Sequence, residues 1–174
     1  MATSPHTLAL GCVEPVSGLY RRDHFLIALN YELKRLGACQ AALGLIVIGF
    51  PKNPNWSQVG AEIQLLLGGC DQAGRVGAKE AAILLPETGE RPVTRLLGEL
   101  GRELGPAKAG LALAWPGQTV TALGLIAAAR EKMSDFSETL KRIAGVDGPW
   151  AKKETAIAPA ERESLFMGFG ALIA

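Results

Sequence analysis

The tetrapeptide Gly77-Ala78-Lys79-Glu80 lies inside RVGAKEAAILLP, residues 75–86, and two chemistries fit it. One is an ordinary hairpin turn, with Gly77 taking a positive φ and Lys79 and Glu80 solvated at the tip. The other is a loop that serves a site, with Lys79 and Glu80 as its charged groups. Other reactive residue types are sparse. His24 is alone on an expected helix, with no carboxylate or second ligand nearby, and reads as a helix-face histidine. His6 in the polar start has no better claim. Cys12, Cys39 and Cys70 are widely spaced and lack any C-x-x-C or histidine partner, so they read as buried thiols of a reducing cytosol. No Ser-His-Asp, Cys-His or H-E-x-x-H arrangement can be assembled from local spacing.

The elements that must hold the loop follow from apolar periodicity. Phe25, Leu26, Leu29, Leu33 and Leu36 recur at helical spacing and predict a helix over residues 23–36. AALGLIVIGF, residues 41–50, is short, apolar and β-branched, as expected for a strand covered on both faces. Val59, Ile63, Leu66 and Leu67 predict a second helix from Trp56 to Gly68-Gly69. Residues 71–76 and 81–85 flank the tetrapeptide and should pair antiparallel, with Pro86 closing the second strand. A helix through Val93, Leu96, Leu97, Leu100 and Leu104 stops at Gly105-Pro106, and residues 109–115 form a further strand before Pro116-Gly117. The last helix starts near Thr121, with Leu125, Ile126, Ala129 and Met133 inward, and extends through Phe136 and Leu140 to Ile143. This order predicts an α/β (α+β) fold with a sheet of four or five strands, and a ferredoxin-like core is the simplest such arrangement. Residues 145–158 read as a linker. Beyond it, Leu165, Phe166, Phe169, Leu172 and Ile173 form an apolar stripe that packs on its own domain or serves a partner or a dimer mate.

Two stretches carry a family resemblance. Residues 14–25, EPVSGLYRRDHF, resemble the D-x-L-T-G-L-x-N-R-R-x-F opening of GGDEF domains, the diguanylate cyclase family. Residues 71–89, DQAGRVGAKEAAILLPETG, resemble that family's D-x-x-x-R-x-G-G-D-E-F-x-x-L-L-P-x-T segment, and LIAAAR at residues 125–130 is similar to its late L-x-x-A-D helix. The resemblance covers residues 14–132. It implies a nucleotide-cyclase-like fold with a central mixed sheet flanked by helices. It divides the chain into an extension at residues 1–13, a degenerate GGDEF domain at 14–144, the linker, and an apolar tail at 159–174. In active members the two loop glycines let the backbone approach GTP and the following acid binds Mg²⁺. Gly77 keeps the first glycine, Ala78 replaces the second, Lys79 replaces the metal-binding acid, Glu80 matches the glutamate and Ala81 replaces the phenylalanine.

A lysine repels Mg²⁺ there: two like unit charges about 4 Å apart cost on the order of 4 kcal/mol at an intermediate dielectric, and a divalent ion doubles that. The family's other metal aspartates align with Ile46 and Ile48, and only KNPNWSQ stands where a longer guanine-binding loop is expected. Asp71 matches the aspartate of the inhibitory R-x-x-D pair, but its arginine position holds Gly68. The resemblance therefore implies no catalytic residue, no metal and no cofactor. The leading expectation is a catalytically inactive signalling or protein-interaction module. The alternative is a GTP or cyclic di-GMP receptor using Gly77, Lys79, Glu80, Arg21 and Arg22. A working cyclase with displaced ligands and an unrelated α/β regulatory domain are the remaining readings.

The chain's bulk properties fit these expectations. Its 174 residues, 48% of them hydrophobic, suit one domain with a sizeable core. Eighteen Lys and Arg against 17 Asp and Glu give no excess charge that would argue for nucleic acid or an anionic membrane. No apolar run approaches the roughly 20 residues of a membrane span, and the start lacks a basic n-region, so a cytoplasmic protein is expected. The expected partner is another protein or a second copy, reached through the sheet edge or the C-terminal stripe.

Overall fold

The computed structural model describes residues 11–38, 41–145 and 149. Helix α1 spans Arg22–Arg35, strand β1 Ala42–Gly49, helix α2 Trp56–Leu66, strand β2 Gln72–Gly77 and strand β3 Glu80–Thr88. Helix α3 spans Glu90–Glu103, strand β4 Lys108–Ala114, helix α4 Ala122–Glu131, strand β5 Ser134–Asp135 and helix α5 Phe136–Ala144. The expected elements are thus present, with three local differences.

The five strands form one sheet in the order β2-β3-β1-β4-β5. All four strand pairings are antiparallel, and a single parallel bridge from Tyr20 to Gly74 adds the mixed component at the β2 edge. β1 lies at the centre, and residues 42–48 are all buried because helices cover both faces. On one face Ile46 and Ile48 pack with Ile83, Leu111 and the apolar sides of α2, α3 and α5. On the other, Leu45 and Val47 pack with Leu84, Ala112 and the inward residues of α1 and α4, among them Phe25, Leu29, Leu125 and Ile126. This is the α/β architecture with a ferredoxin-like core that the element order implied.

The first difference is at Pro86. It does not end β3, which runs on to Thr88. Ala42 pairs with Thr88 and Gly44 with Leu85, so Pro86 and Glu87 sit in a bulge, and Glu87 takes a φ of 51°. A bulge releases the proline from a ladder hydrogen bond it cannot donate. The second is in the last helix, which breaks after Glu131. Ser134 and Asp135 instead pair with Ala109 and Lys108, and α5 starts afresh at Phe136. Both helices still present apolar stripes to the sheet, which is why their periodicity reads as continuous. The third concerns the thiols: Cys70 is exposed and Cys12 half-buried, while Cys39 lies outside the described residues.

His24 is half-buried on α1. His6, most of the expected linker and the stripe Leu165, Phe166, Phe169, Leu172 and Ile173 lie outside the described residues. Among those described, no helix is long and apolar enough to cross a membrane.

Candidate functional site

The β2–β3 connection is tighter than a four-residue turn. Gly77 and Glu80 are cross-strand partners, which leaves only Ala78 and Lys79 in the connection. Gly77 does not take a left-handed φ, and neither do Ala78 and Lys79. The ladder shifts register between Arg75 and Gly77, which leaves Val76 as the extra residue of a bulge. The expectation of a positive φ at Gly77 is corrected accordingly.

Arg75 holds this hairpin. Its guanidinium donates to the Glu14 carboxylate, to the Gly77 carbonyl at 3.3 Å and to the Ala78 carbonyl at 3.3 Å. It also lies over the Trp56 ring, 4.3 Å from the centroid, in a cation–π contact. Glu14 is itself positioned by the Ser17 hydroxyl, which donates to it at 2.6 Å. The EPVSG segment, the turn and the start of α2 are thereby tied through one side chain.

Glu80 is not solvated at the tip. It is partly buried, and Arg130 at the end of α4 grips both its oxygens, Nε to Oε1 at 3.2 Å and Nη2 to Oε2 at 2.6 Å. A bidentate guanidinium fork neutralises the carboxylate and occupies both oxygens. Lys79 is exposed: its carbonyl accepts from the Phe50 amide at 2.9 Å, and its ammonium reaches the Pro51 carbonyl at 3.5 Å. The turn is thus stitched to the exit of β1.

The candidate binding residues divide between two clefts. Arg21, Arg22 and Gly77 line one of about 410 Å³, together with Glu14, Asp23 and Arg75. Lys79 and Glu80 line another of about 590 Å³ on the far side of the turn, with Phe50, Pro51, Lys108 and Met133. Asp71 is remote from both. Its carboxylate accepts from the Gly68 amide at 2.8 Å and serves the turn before β2.

The Mg²⁺ bound by active members of the resembled family does not fit these residues. Ile46 and Ile48 are fully buried apolar side chains, Lys79 is a cation, and both Glu80 oxygens are engaged by Arg130. Among the described residues no group of three or more His, Cys, Asp or Glu side chains stands together. Arg130, Trp56 and Lys108 escaped the sequence reading. The one available signal was that Arg130 carries the sole charge in LIAAAR, on a helix required to pack near the hairpin.

No protein-family model matches the chain, and no curated protein matches it by sequence. Solved structures do. The GGDEF domain of FimX from Pseudomonas aeruginosa superposes with a TM-score of 0.62 at 16% identity, covering 75% of this chain and 94% of that one. A sensory box/GGDEF family protein from Caulobacter crescentus gives 0.60 at 19% identity, covering 73% and 98%. The diguanylate cyclase SiaD from Pseudomonas aeruginosa, solved with its activator SiaC, gives 0.57 at 20% identity, covering 74% of this chain and 63% of that one. The central sheet, the hairpin and the flanking helices are those the resemblance implied, and the chain has the diguanylate-cyclase-like fold of GGDEF domains.

Proposed function

We propose that this chain is a catalytically inactive GGDEF-fold domain that acts in signalling as a protein-interaction module. The observation that carries this reading is the scarcity of carboxylates around the hairpin. Ile46 and Ile48 are fully buried apolar side chains, Lys79 is a cation, and the one acid retained in the loop, Glu80, is paired with Arg130. Two-metal phosphoryl transfer requires carboxylates free to hold cations between phosphate and attacking hydroxyl. Here the hairpin's polar groups are spent on folding. SiaD, which this chain matches over 63% of its length, is solved in complex with its activator SiaC, and that supports a protein partner here; the sheet edge and the C-terminal stripe are the surfaces proposed for one. The test is turnover of radiolabelled GTP with Mg²⁺. Product at the level of a no-enzyme control is expected, and accumulation above it would falsify the proposal.

A second reading rests on the cleft beside Gly77. Arg21, Arg22 and Arg75 line it against Glu14 and Asp23, and with Arg75 already paired to Glu14 the surplus positive charge lies with Arg21 and Arg22, a balance that suits an anionic ligand. A receptor built there would use Arg21, Arg22 and Gly77 without Lys79 or Glu80, which face the other cleft. Calorimetry with GTP and with cyclic di-GMP discriminates: saturable heat that disappears in Arg22→Ala supports it, and absence of heat at high protein concentration removes it.

A further inference from the structure

Helix α1 turns Phe25 and Leu29 to the sheet, where both are fully buried. Residues three and four apart share a helix face, so the face turned away from the sheet carries Asp23, Ile27, Asn30, Tyr31 and Lys34. All five are exposed, and Ile27 and Tyr31 are each 65% exposed. A single apolar side chain in solvent needs no explanation. Two of them stacked one turn apart, on the side where a surface helix ordinarily carries polar groups, do.

Asp23, Ile27, Asn30 and Lys34 follow one another at intervals of four, three and four, the spacing of a seam along which two helices interlock. Tyr31 lies beside it. A second α1 could lie on this seam in two ways, and the charges tell them apart. In a parallel pair Asp23 faces the partner's Asp23 and Lys34 faces the partner's Lys34, so both ends repel. In an antiparallel pair, with the two-fold axis passing between Ile27 and Asn30, Asp23 meets the partner's Lys34 at each end. Ile27 then meets the partner's Asn30, with the partner's Tyr31 alongside. Both charges are available for this, because no ion pair or hydrogen bond among the described residues engages the Asp23 carboxylate or the Lys34 ammonium. The neighbouring cation is already committed, since Arg35 is paired with Glu32 at 2.9 Å and with Glu87 at 3.3 Å. The face is thus complementary to itself in one orientation, and a two-fold dimer requires a patch of that kind.

We infer that the outer face of α1 is a dimer interface, in which two copies of this chain pack Ile27 and Tyr31 against each other antiparallel, with an Asp23 to Lys34 pair at each end. A polar Asn30 within the seam fixes the register at a cost in stability. The seam rises only about 16 Å along the helix, so the dimer is a weak one, with a Kd on the order of 10–100 µM. This surface is neither the sheet edge nor the C-terminal stripe. The inference also stands apart from the catalytic reading, since either outcome of the turnover assay leaves it untouched.

Sedimentation equilibrium of the full chain, from roughly 5 to 500 µM, is the test. A monomer and dimer in concentration-dependent balance are expected. Asp23→Lys and Lys34→Asp, each alone, should weaken the dimer about tenfold, because each turns two attractive pairs into two repulsive ones. D23K/K34D should return it to within about threefold of the unaltered chain, and so should an equimolar mixture of the two single variants. I27S/Y31S should abolish the dimer while the far-ultraviolet signal of the fold stays, both side chains being exposed. A chain that is monomeric throughout the range overturns the inference. So does a dimer that survives in I27S/Y31S, which would assign it to another surface. Single reversals that neither the double reversal nor the mixture restores would overturn the antiparallel pairing.

Discussion

Arg75 and Arg130 both bind a carboxylate near the hairpin, but the physics gives them unequal weight. Arg130 is 40% exposed and reaches Glu80 from a helix end, so water competes for both partners. Exposed pairs of this kind are worth about 0.2–1 kcal/mol. Arg75 is 28% exposed, is engaged by a carboxylate and two carbonyls, and rests on the buried Trp56. Hydrogen bonds to charged groups contribute about 1.5–3 kcal/mol, and the lost cation–π contact adds to this. Arg75→Met is therefore expected to lower stability in urea by about 2 kcal/mol or more and, with Trp115 and Trp150 replaced by phenylalanine, to shift Trp56 emission. Arg130→Met should cost less than about 1 kcal/mol. Equal losses would mean that the guanidinium over Trp56 is not what holds the turn.

Close backbone approaches, more than side-chain pairs, fix how the helices sit on the sheet. A Cβ at Gly60 would lie 1.8 Å from the Ser17 carbonyl oxygen, and one at Gly110 would lie 1.9 Å from the Ala129 carbonyl oxygen. Gly60 lets α2 touch the EPVSG segment, and Gly110 lets α4 lie directly on β4. In both places backbone must move to admit a methyl, at a cost of about 1–3 kcal/mol or more. Gly98 in the middle of α3 has nothing within 4 Å of its would-be Cβ, so alanine there should stabilise by about 0.5–1 kcal/mol. Thermal unfolding of Gly60→Ala, Gly110→Ala and Gly98→Ala should thus give two falls and one rise in Tm. A rise in all three would remove the close-approach account. These contacts mark the limit of what the sequence discloses. The strand of residues 42–49 and the helix of Val93 to Leu100 were legible because apolar spacing is a local signal. The split between α4 and α5 was not, since Ser134 and Asp135 join a strand only through Lys108 and Ala109, distant in the chain. Ile46, Ile48 and Lys79 were readable by residue type, whereas the Arg130 grip on Glu80 spans fifty positions and has no local pattern.

The central strand makes the two cores interdependent. Leu45 and Val47 belong to the face under α1 and α4, Ile46 and Ile48 to the face under α2, α3 and α5, and every one of these side chains is fully buried. β1 also supplies the ladder for both β3 and β4. Loss of either layer of helices exposes apolar surface on the strand that the other layer needs, so neither half has a stable separate existence. A single cooperative transition is expected, with calorimetric and van't Hoff enthalpies equal. Leu45→Ala on one face should cost about 2–5 kcal/mol and Ile46→Val on the other about 0.5–1.5 kcal/mol. In each variant, made in a Trp115→Phe/Trp150→Phe background that leaves Trp56 as the one tryptophan, the far-ultraviolet signal, which reports all helices, and the Trp56 emission, which reports one face, should shift together. If Leu45→Ala moves the first and leaves the second in place, the α1–α4 layer melts alone, and the sheet is two cores sharing a strand instead of one.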